Sequence, residues 1–125
     1  MLSSLFSKKE KVELPWTHLN QIDQLNKVDE ASYKKPVLLF KHSTRCSISA
    51  MTLSRFERSF QEEAAFEPYF LDLIAHRDIS NEIASKYGIK HESPQAILIK
   101  DGKVIFHESH TAINFDELNS IAQRS

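Results

Sequence analysis

The residue most suited to chemistry is Cys46, the only cysteine in the chain. It lies between an apolar run and a helical pattern. Thiol exchange needs an ionised sulfur, and a cysteine beside an arginine or at a helix start has a pKa below its usual value of about 8.5. Arg45 precedes the sulfur, and the residues from Ser47 onward read as a first helical turn, whose N–H groups are unpaired. The pattern therefore predicts that Cys46 is a nucleophile.

The alternative is that Cys46 is a small buried apolar residue without a chemical role, which is common for free cysteines. The surrounding serine, threonine and arginine residues disfavour this interpretation, because they suit an exposed turn. Arg45 could stabilise the thiolate or be a solvated surface charge. Thr44 and Ser49 could donate hydrogen bonds to the sulfur or only cap the helix. His42 could protonate a leaving thiolate or simply end a strand.

The bulk properties are those of a small globular protein. We expect residues 1–14 to be a loosely ordered leader and residues 15–125 to be a single domain. Sixteen basic and seventeen acidic residues leave a net charge of −1, which disfavours a nucleic-acid or anionic-membrane surface. Neither a spanning apolar run nor a targeting peptide is evident. With one cysteine no internal disulfide can form, so we expect a cytosolic protein, where thiols stay reduced.

The elements that must position Cys46 follow from the apolar spacing. An apolar residue at every third position predicts a first helix over residues 16–28. The continuous run Val37–Phe40 predicts a strand that is buried on both faces. After Cys46 a stripe of Ile48, Leu53, Phe56 and Phe60 predicts a helix, and residues 69–73 read as a second strand.

Turn and capping signals define the second half of the chain. Asp78 is the expected N-cap of a helix that ends at Gly88. Asp101-Gly102 lies between two apolar runs and predicts a hairpin, and the segment Asn114–Glu117 has the form of a capping box. Strands joined through a helix are parallel, and the hairpin adds an antiparallel pair. The sequence thus predicts an α/β fold, with a mixed four- or five-stranded sheet flanked by helices on both faces.

This order, with a cysteine at the first strand-to-helix turn and Ser93-Pro94 just before the hairpin, resembles the thioredoxin fold. The resemblance implies a cis peptide bond at Ser93-Pro94 and a loop that faces the thiol. Ser93 and Pro94 would then bind substrate, with the backbone of Ser93 pairing with a bound peptide or thiol ligand as a strand would.

The motif Cys46-Ser47-Ile48-Ser49 departs from the two-cysteine form of that fold. A serine hydroxyl does not exchange with sulfur at neutral pH, so Ser49 cannot resolve a mixed disulfide, and a second thiol molecule must do so. Phe40 stands where dithiol thioredoxins usually carry a buried aspartate that assists the resolving thiol. A protein without that thiol has no need of the acid.

The string from Phe40 to Ser49 is similar to the active site of the monothiol bacilliredoxins, the YtxJ-like proteins, and the resemblance covers roughly residues 14–125. It implies a cytoplasmic oxidoreductase of the oxidative stress response that holds no cofactor and uses bacillithiol as co-substrate. Cys46 would take bacillithiol from S-bacillithiolated client proteins, and free bacillithiol would regenerate Cys46.

Three other functions remain open at this point. His42 and Cys46 with His76 or His110 could bind zinc, although no ligand pairs recur at characteristic spacing. Monothiol glutaredoxins with a Cys-x-x-Ser motif bridge an iron–sulfur cluster with external glutathione, and such a carrier would be brown. A non-catalytic adaptor of the same fold would have a thiol with an unperturbed pKa.

Overall fold

The computed structural model describes residues 15–60 and 63–125, so the predicted leader over residues 1–14 lies outside the described residues. The described part contains a mixed sheet of five strands in the order β1-β3-β2-β4-β5. β1 and β2 both run parallel to β3, whereas β4 is antiparallel to β2 and to β5. This confirms the predicted α/β architecture. The strands are β1 (Thr17–His18), β2 (Val37–His42), β3 (Glu67–Asp72), β4 (Gln95–Lys100) and β5 (Lys103–Ser109).

Four α-helices connect or follow these strands in the described residues, together with a short 3-10 turn at His110–Ala112. Two of the predicted boundaries are confirmed by local geometry. Gly88 follows its helix with a left-handed φ of 62°, and the Asn114 side chain accepts a hydrogen bond from the N–H of Glu117 at 2.9 Å. The helices are α1 (Gln24–Ser32), α2 (Ser47–Ser59), α3 (Arg77–Tyr87) and α4 (Phe115–Arg124).

The central strand β2 is buried on both faces, as its unbroken apolar run predicts. Val37 and Leu39 face a core formed with α1 and α3. Leu38 and Phe40 face a second core formed with α2 and α4. Helices therefore cover both faces of the sheet, which leaves the ends of the strands as the places where a site can open to solvent.

The first helix differs from the prediction, because α1 begins at Gln24 rather than near Trp16. Trp16 packs instead on the other side of the sheet, with its ring 5.4 Å from that of Phe70, and the residues after it form β1. The Gln24 side chain then accepts the N–H groups of Asn20 and Gln21 and so closes the turn before the helix.

One predicted helix cap and one residue of a predicted helix face are also wrong. His76, not Asp78, is the N-cap of α3, and Asp78 lies in the first turn, where a negative charge still favours the helix dipole. On α2 the buried residues are Ser49, Thr52 and Phe56, and Leu53 and Phe60 of the predicted stripe pack against the same core. Ile48, which the apolar stripe places in the core, is 46% exposed, because the helix turns its polar side toward the end of β2.

Candidate active site at the end of the central strand

The site lies where β2 ends and β4 begins. In the sheet, Lys41 of β2 is paired with Gln95 of β4, and His42 is paired with Asp72 of β3. Because β2 and β4 are antiparallel, the C-terminal end of β2 lies beside the N-terminal end of β4. The residues after His42 and those before Gln95 therefore leave the sheet at the same end. The sheet therefore brings the segment that carries Cys46 and the turn that carries Ser93-Pro94 to one end of the molecule.

Cys46 is the N-cap residue of α2 and is partly exposed. Its backbone is extended, with φ −117° and ψ 122°, its N–H donates to the carbonyl of Ser43 at 3.3 Å, and its carbonyl accepts the N–H of Ala50 at 3.0 Å. Residues 47–49 supply N–H groups that have no acceptor within the helix. Cys46 is thus partly open to solvent and stands at the positive end of a 13-residue helix.

Ser49 lies one turn further along α2 and is fully buried. Its hydroxyl oxygen accepts the N–H of Ser43 at 3.0 Å and lies 2.8 Å from Nδ1 of His42. A hydroxyl has one proton and two lone pairs, so Ser49 can accept from Ser43 and at the same time donate its proton to a deprotonated Nδ1. Ser49 therefore ties the loop before Cys46 to the end of β2, and its predicted hydrogen bond to the sulfur would compete with this contact.

His42 is almost completely buried beside Phe70, with the two ring centres 5.6 Å apart. Burial lowers the pKa of His42 below its usual value, and the carboxylates of Asp72 and Glu57 oppose this effect only in part. The imidazole is therefore neutral near pH 7, with its proton on Nε2 if Nδ1 accepts from Ser49. A neutral imidazole is a weak acid, so this arrangement does not favour proton donation by His42 to a leaving thiolate.

Thr44 and Arg45, the two residues that precede Cys46, are both exposed. The N–H of Arg45 lies 3.4 Å from the hydroxyl of Ser43, which completes a tight turn. Within residues 15–60 and 63–125 the guanidinium group forms neither an ion pair nor a hydrogen bond. Their roles toward the thiolate stay predictions.

The Ser93-Pro94 peptide bond is cis, as the fold resemblance implies. The carbonyl of Pro94 accepts the N–H of His110 at 2.8 Å, which fixes the turn to the end of β5. The backbone N–H and carbonyl of Ser93 make no hydrogen bond with other described residues. Its hydroxyl oxygen is buried and likewise has no partner among them. The backbone of Ser93 thus offers an N–H and a carbonyl without a partner among the described residues, at the end of the sheet where Cys46 also lies.

Phe40 is fully buried in a cluster of aromatic rings. Its ring centre lies 5.8 Å from that of Trp16 and 5.2 Å from that of Phe56. Such a position disfavours any charged side chain. At the position of Phe40 the described residues therefore form a hydrocarbon environment, and no acid–base group stands there.

A buried polar cluster beneath the site is absent from the sequence prediction. Lys41 and Gln95 are both fully buried and contact each other across the strands at 3.1 Å, and His91 lies 2.6 Å from the Lys41 Nζ. The sequence does contain a signal for this cluster. Side chains alternate along a strand, so Lys41 points to the same face of β2 as Val37 and Leu39. Lys41 follows the apolar run directly, however, and a lysine at a strand end reads as exposed.

In the stretches that the structure describes, no group of three or more histidine, cysteine, aspartate or glutamate side chains is arranged to hold a metal ion. The zinc set considered from the sequence is thus not assembled. Along the same stretches, none of the helices is both long enough and apolar enough to cross a bilayer.

Comparison with known proteins adds a family and a fold. The sequence model of the family described as monothiol bacilliredoxin BrxC matches residues 17–118. A solved structure described as a proposed oxidoreductase with a thioredoxin fold is 35% identical, with a TM-score of 0.74. The match covers 87% of this chain and 94% of that one.

Two thioredoxins share the fold at lower identity. The one from Malassezia sympodialis is 19% identical with a TM-score of 0.67, and the match covers 91% of this chain and 96% of the thioredoxin. The one from Fasciola hepatica is 20% identical with a TM-score of 0.65, over 86% and 96% of the two chains. These likenesses confirm the thioredoxin-like fold that the order of elements indicates.

Proposed function

Because the chain belongs to the monothiol bacilliredoxin family, we propose that it is a thiol–disulfide oxidoreductase that removes bacillithiol from S-bacillithiolated proteins of the cytosol. The observation that carries the proposal is the position of Cys46, partly exposed at the N-terminus of α2. One turn further on, a second exchanging sulfur is replaced by the buried hydroxyl of Ser49.

In the first step the Cys46 thiolate attacks the bacillithiol sulfur of the mixed disulfide on the client protein. A bond forms between these two sulfurs, the bond between bacillithiol and the client breaks, and the client leaves as a thiolate that takes a proton from solvent. The client cysteine is reduced, and Cys46 is oxidised to a mixed disulfide with bacillithiol.

In the second step a free bacillithiol thiolate attacks the bacillithiol sulfur of that adduct. Bacillithiol disulfide leaves, and Cys46 returns to its thiolate form. Ser49 takes no part in the exchange. The hydrocarbon surroundings of Phe40 fit this two-step mechanism, because the mechanism does not require a buried second thiol to be deprotonated near Phe40.

Ser93 is the proposed contact for the substrate. Its free N–H and carbonyl can pair with an extended segment of the client or with the amide groups of bacillithiol, as an added strand pairs with a sheet edge. Arg45 and Thr44, which are exposed and directly precede Cys46 in the chain, are proposed to stabilise the thiolate from the solvent side.

The proposal is tested with a purified client protein that carries one bacillithiol adduct. The wild-type protein should release the client thiol, and intact-mass measurement should show a single bacillithiol on Cys46 that free bacillithiol removes. Cys46→Ser should abolish the release, because no nucleophile remains. Ser49→Ala should keep most of it, because Ser49 only holds the loop.

Retained activity in Cys46→Ser would contradict the mechanism. Loss of activity in Ser49→Ala with an unchanged rate of Cys46 alkylation would show that Ser49 has a chemical role. A brown protein with visible absorbance after anaerobic reconstitution with iron and sulfide would favour the iron–sulfur carrier instead.

A further inference from the structure

Lys41 is a buried cation that the thiol exchange described above does not use. It is fully buried on the face of β2 that also carries Leu39 and packs against α1 and α3. A buried ammonium group is costly unless polar partners replace its water. Lys41 finds two such partners, since its Nζ lies 2.6 Å from Nδ1 of His91 and 3.1 Å from Oε1 of Gln95.

Both partners belong to the segment of residues 90–95, which we call the 90–95 loop and which contains Ser93-Pro94. Gln95 closes this loop from inside: its Nε2 donates to the carbonyl of Lys90 at 3.0 Å, and its Oε1 lies 3.4 Å from the N–H of Glu92. Ser80 of α3 adds a contact of 3.4 Å to His91. One side chain of β2 thus holds the loop at its start and at its end.

We propose that Lys41 is a positioning residue for thiol exchange, which fixes the 90–95 loop through Gln95 and His91 and so places the free backbone of Ser93 where the disulfide substrate pairs with it. The inference rests on the proposed function for its substrate. Lys41 does not touch that substrate, because it is fully buried and its side chain and that of His42 lie on opposite faces of β2.

The charge of Lys41 gives this role a pH dependence. Burial lowers the pKa of Lys41 to about 8, and the carboxylate of Glu92 opposes this effect. His91, which faces Lys41 from the loop, has a pKa lowered by burial and by the charges of Lys41 and of Arg77 on α3. A charged donor makes hydrogen bonds roughly twice as strong as a neutral one, so the loop is held more firmly below about pH 8 than above it.

The central experiment compares wild type with Lys41→Met, which keeps an unbranched side chain, one atom shorter, and removes its charge. With an S-bacillithiolated client near pH 7, kcat/KM should fall about ten-fold, mainly through a higher KM, as loss of a charged hydrogen bond predicts. Hydrogen exchange at the N–H of Glu92 should become faster. Lys41→Arg, which keeps a cation, should restore part of the loss.

Three further readouts separate positioning from a general loss of structure. Alkylation of Cys46 by iodoacetamide should stay within about two-fold of wild type, since the sulfur itself is unchanged. A fall of kcat/KM above about pH 8 should be present in wild type and absent in Lys41→Met. The same substitution at exposed Lys103 on β5, Lys103→Met, should change none of these values.

His91→Leu serves if Lys41→Met does not fold, because His91 is only partly covered by the protein and its loss removes one of the two contacts of Lys41. It should raise KM and speed exchange at Glu92 to a smaller extent. An unchanged KM and unchanged exchange at Glu92 in these variants would overturn the inference. If wild type itself releases no bacillithiol, the proposed function fails, and exchange at Glu92 alone then decides whether Lys41 holds the loop.

Discussion

At the scale of single residues, buried hydroxyl groups around the site differ in whether they are paired within the described part of the chain. The hydroxyl of Ser49 has two partners. The hydroxyl oxygens of Ser93 and Thr52 have none among the described residues. An unpaired buried hydroxyl lowers stability, and natural proteins keep few of them. Ser93 lies at the proposed substrate contact, whereas Thr52 faces the core from α2, so the two residues are a matched pair for experiment.

We predict that Ser93→Ala and Thr52→Val each raise the free energy of unfolding by about 1 kcal/mol, because each removes an unpaired buried group. Ser93→Ala should leave KM for the thiolated client unchanged, because Ser93 Oγ is buried and the proposed contact is made by the backbone of Ser93. Thr52→Val should leave KM unchanged as well. Urea unfolding and steady-state kinetics measure the two effects, and a KM that rises only in Ser93→Ala would show that Ser93 Oγ does reach the substrate.

At the scale of the elements, Gly88 allows the energetic contribution of a left-handed residue at the end of α3 to be measured. Its φ of 62° lies in the left-handed region, and a Cβ added there would meet no atom within 4 Å. Gly88→Ala should therefore lower the free energy of unfolding by about 1 kcal/mol through backbone conformation alone. Ser85→Ala, on the exposed side of the same helix, should be neutral or slightly stabilising. Urea unfolding curves in which the two variants coincide would contradict this account.

The elements also show what a sequence can specify. Gly88, the Asp101-Gly102 turn and the cap at Asn114 act within a few residues, so they are readable without knowledge of the fold. The exposure of Ile48 is not, because the rotation of α2 is set by Ser49, which bonds to the end of β2.

The same limit applies to the site. Cys46 is marked by its own neighbours, and the cis bond at Ser93-Pro94 follows from the resemblance in fold. The contact of Lys41 with His91 joins residues 50 positions apart. Nothing local distinguishes this lysine from a solvated one, so only the packed sheet reveals it.

At the scale of the whole molecule, the buried charge of Lys41 links folding to pH. The pKa of Lys41 is about 8 in the native protein, against 10.5 for an ordinary lysine. Between these values the unfolded chain holds a proton that the native protein has released, so native stability rises with pH in this window. Below about pH 8 both states are protonated, and the cost of burying the charge is constant.

The free energy of unfolding of wild type, measured relative to that of Lys41→Met, should therefore increase by roughly 2 kcal/mol between about pH 7 and about pH 10. Using the difference between the two proteins cancels the titration of groups that they share. Lys103→Met against wild type is the control and should show no such trend. A flat difference for Lys41→Met would mean that Lys41 titrates as an exposed lysine does.

The hydroxyl of Ser49, locked between His42 and Ser43, has a consequence for a cell if the proposed chemistry holds. An enzyme that cannot resolve its own mixed disulfide depends on a free thiol for regeneration. Its turnover rate therefore follows the concentration of that thiol. When reserves of reduced bacillithiol run low, copies of the protein accumulate in the blocked state. The blocked fraction then works as a gauge of how much reducing capacity the cell has left.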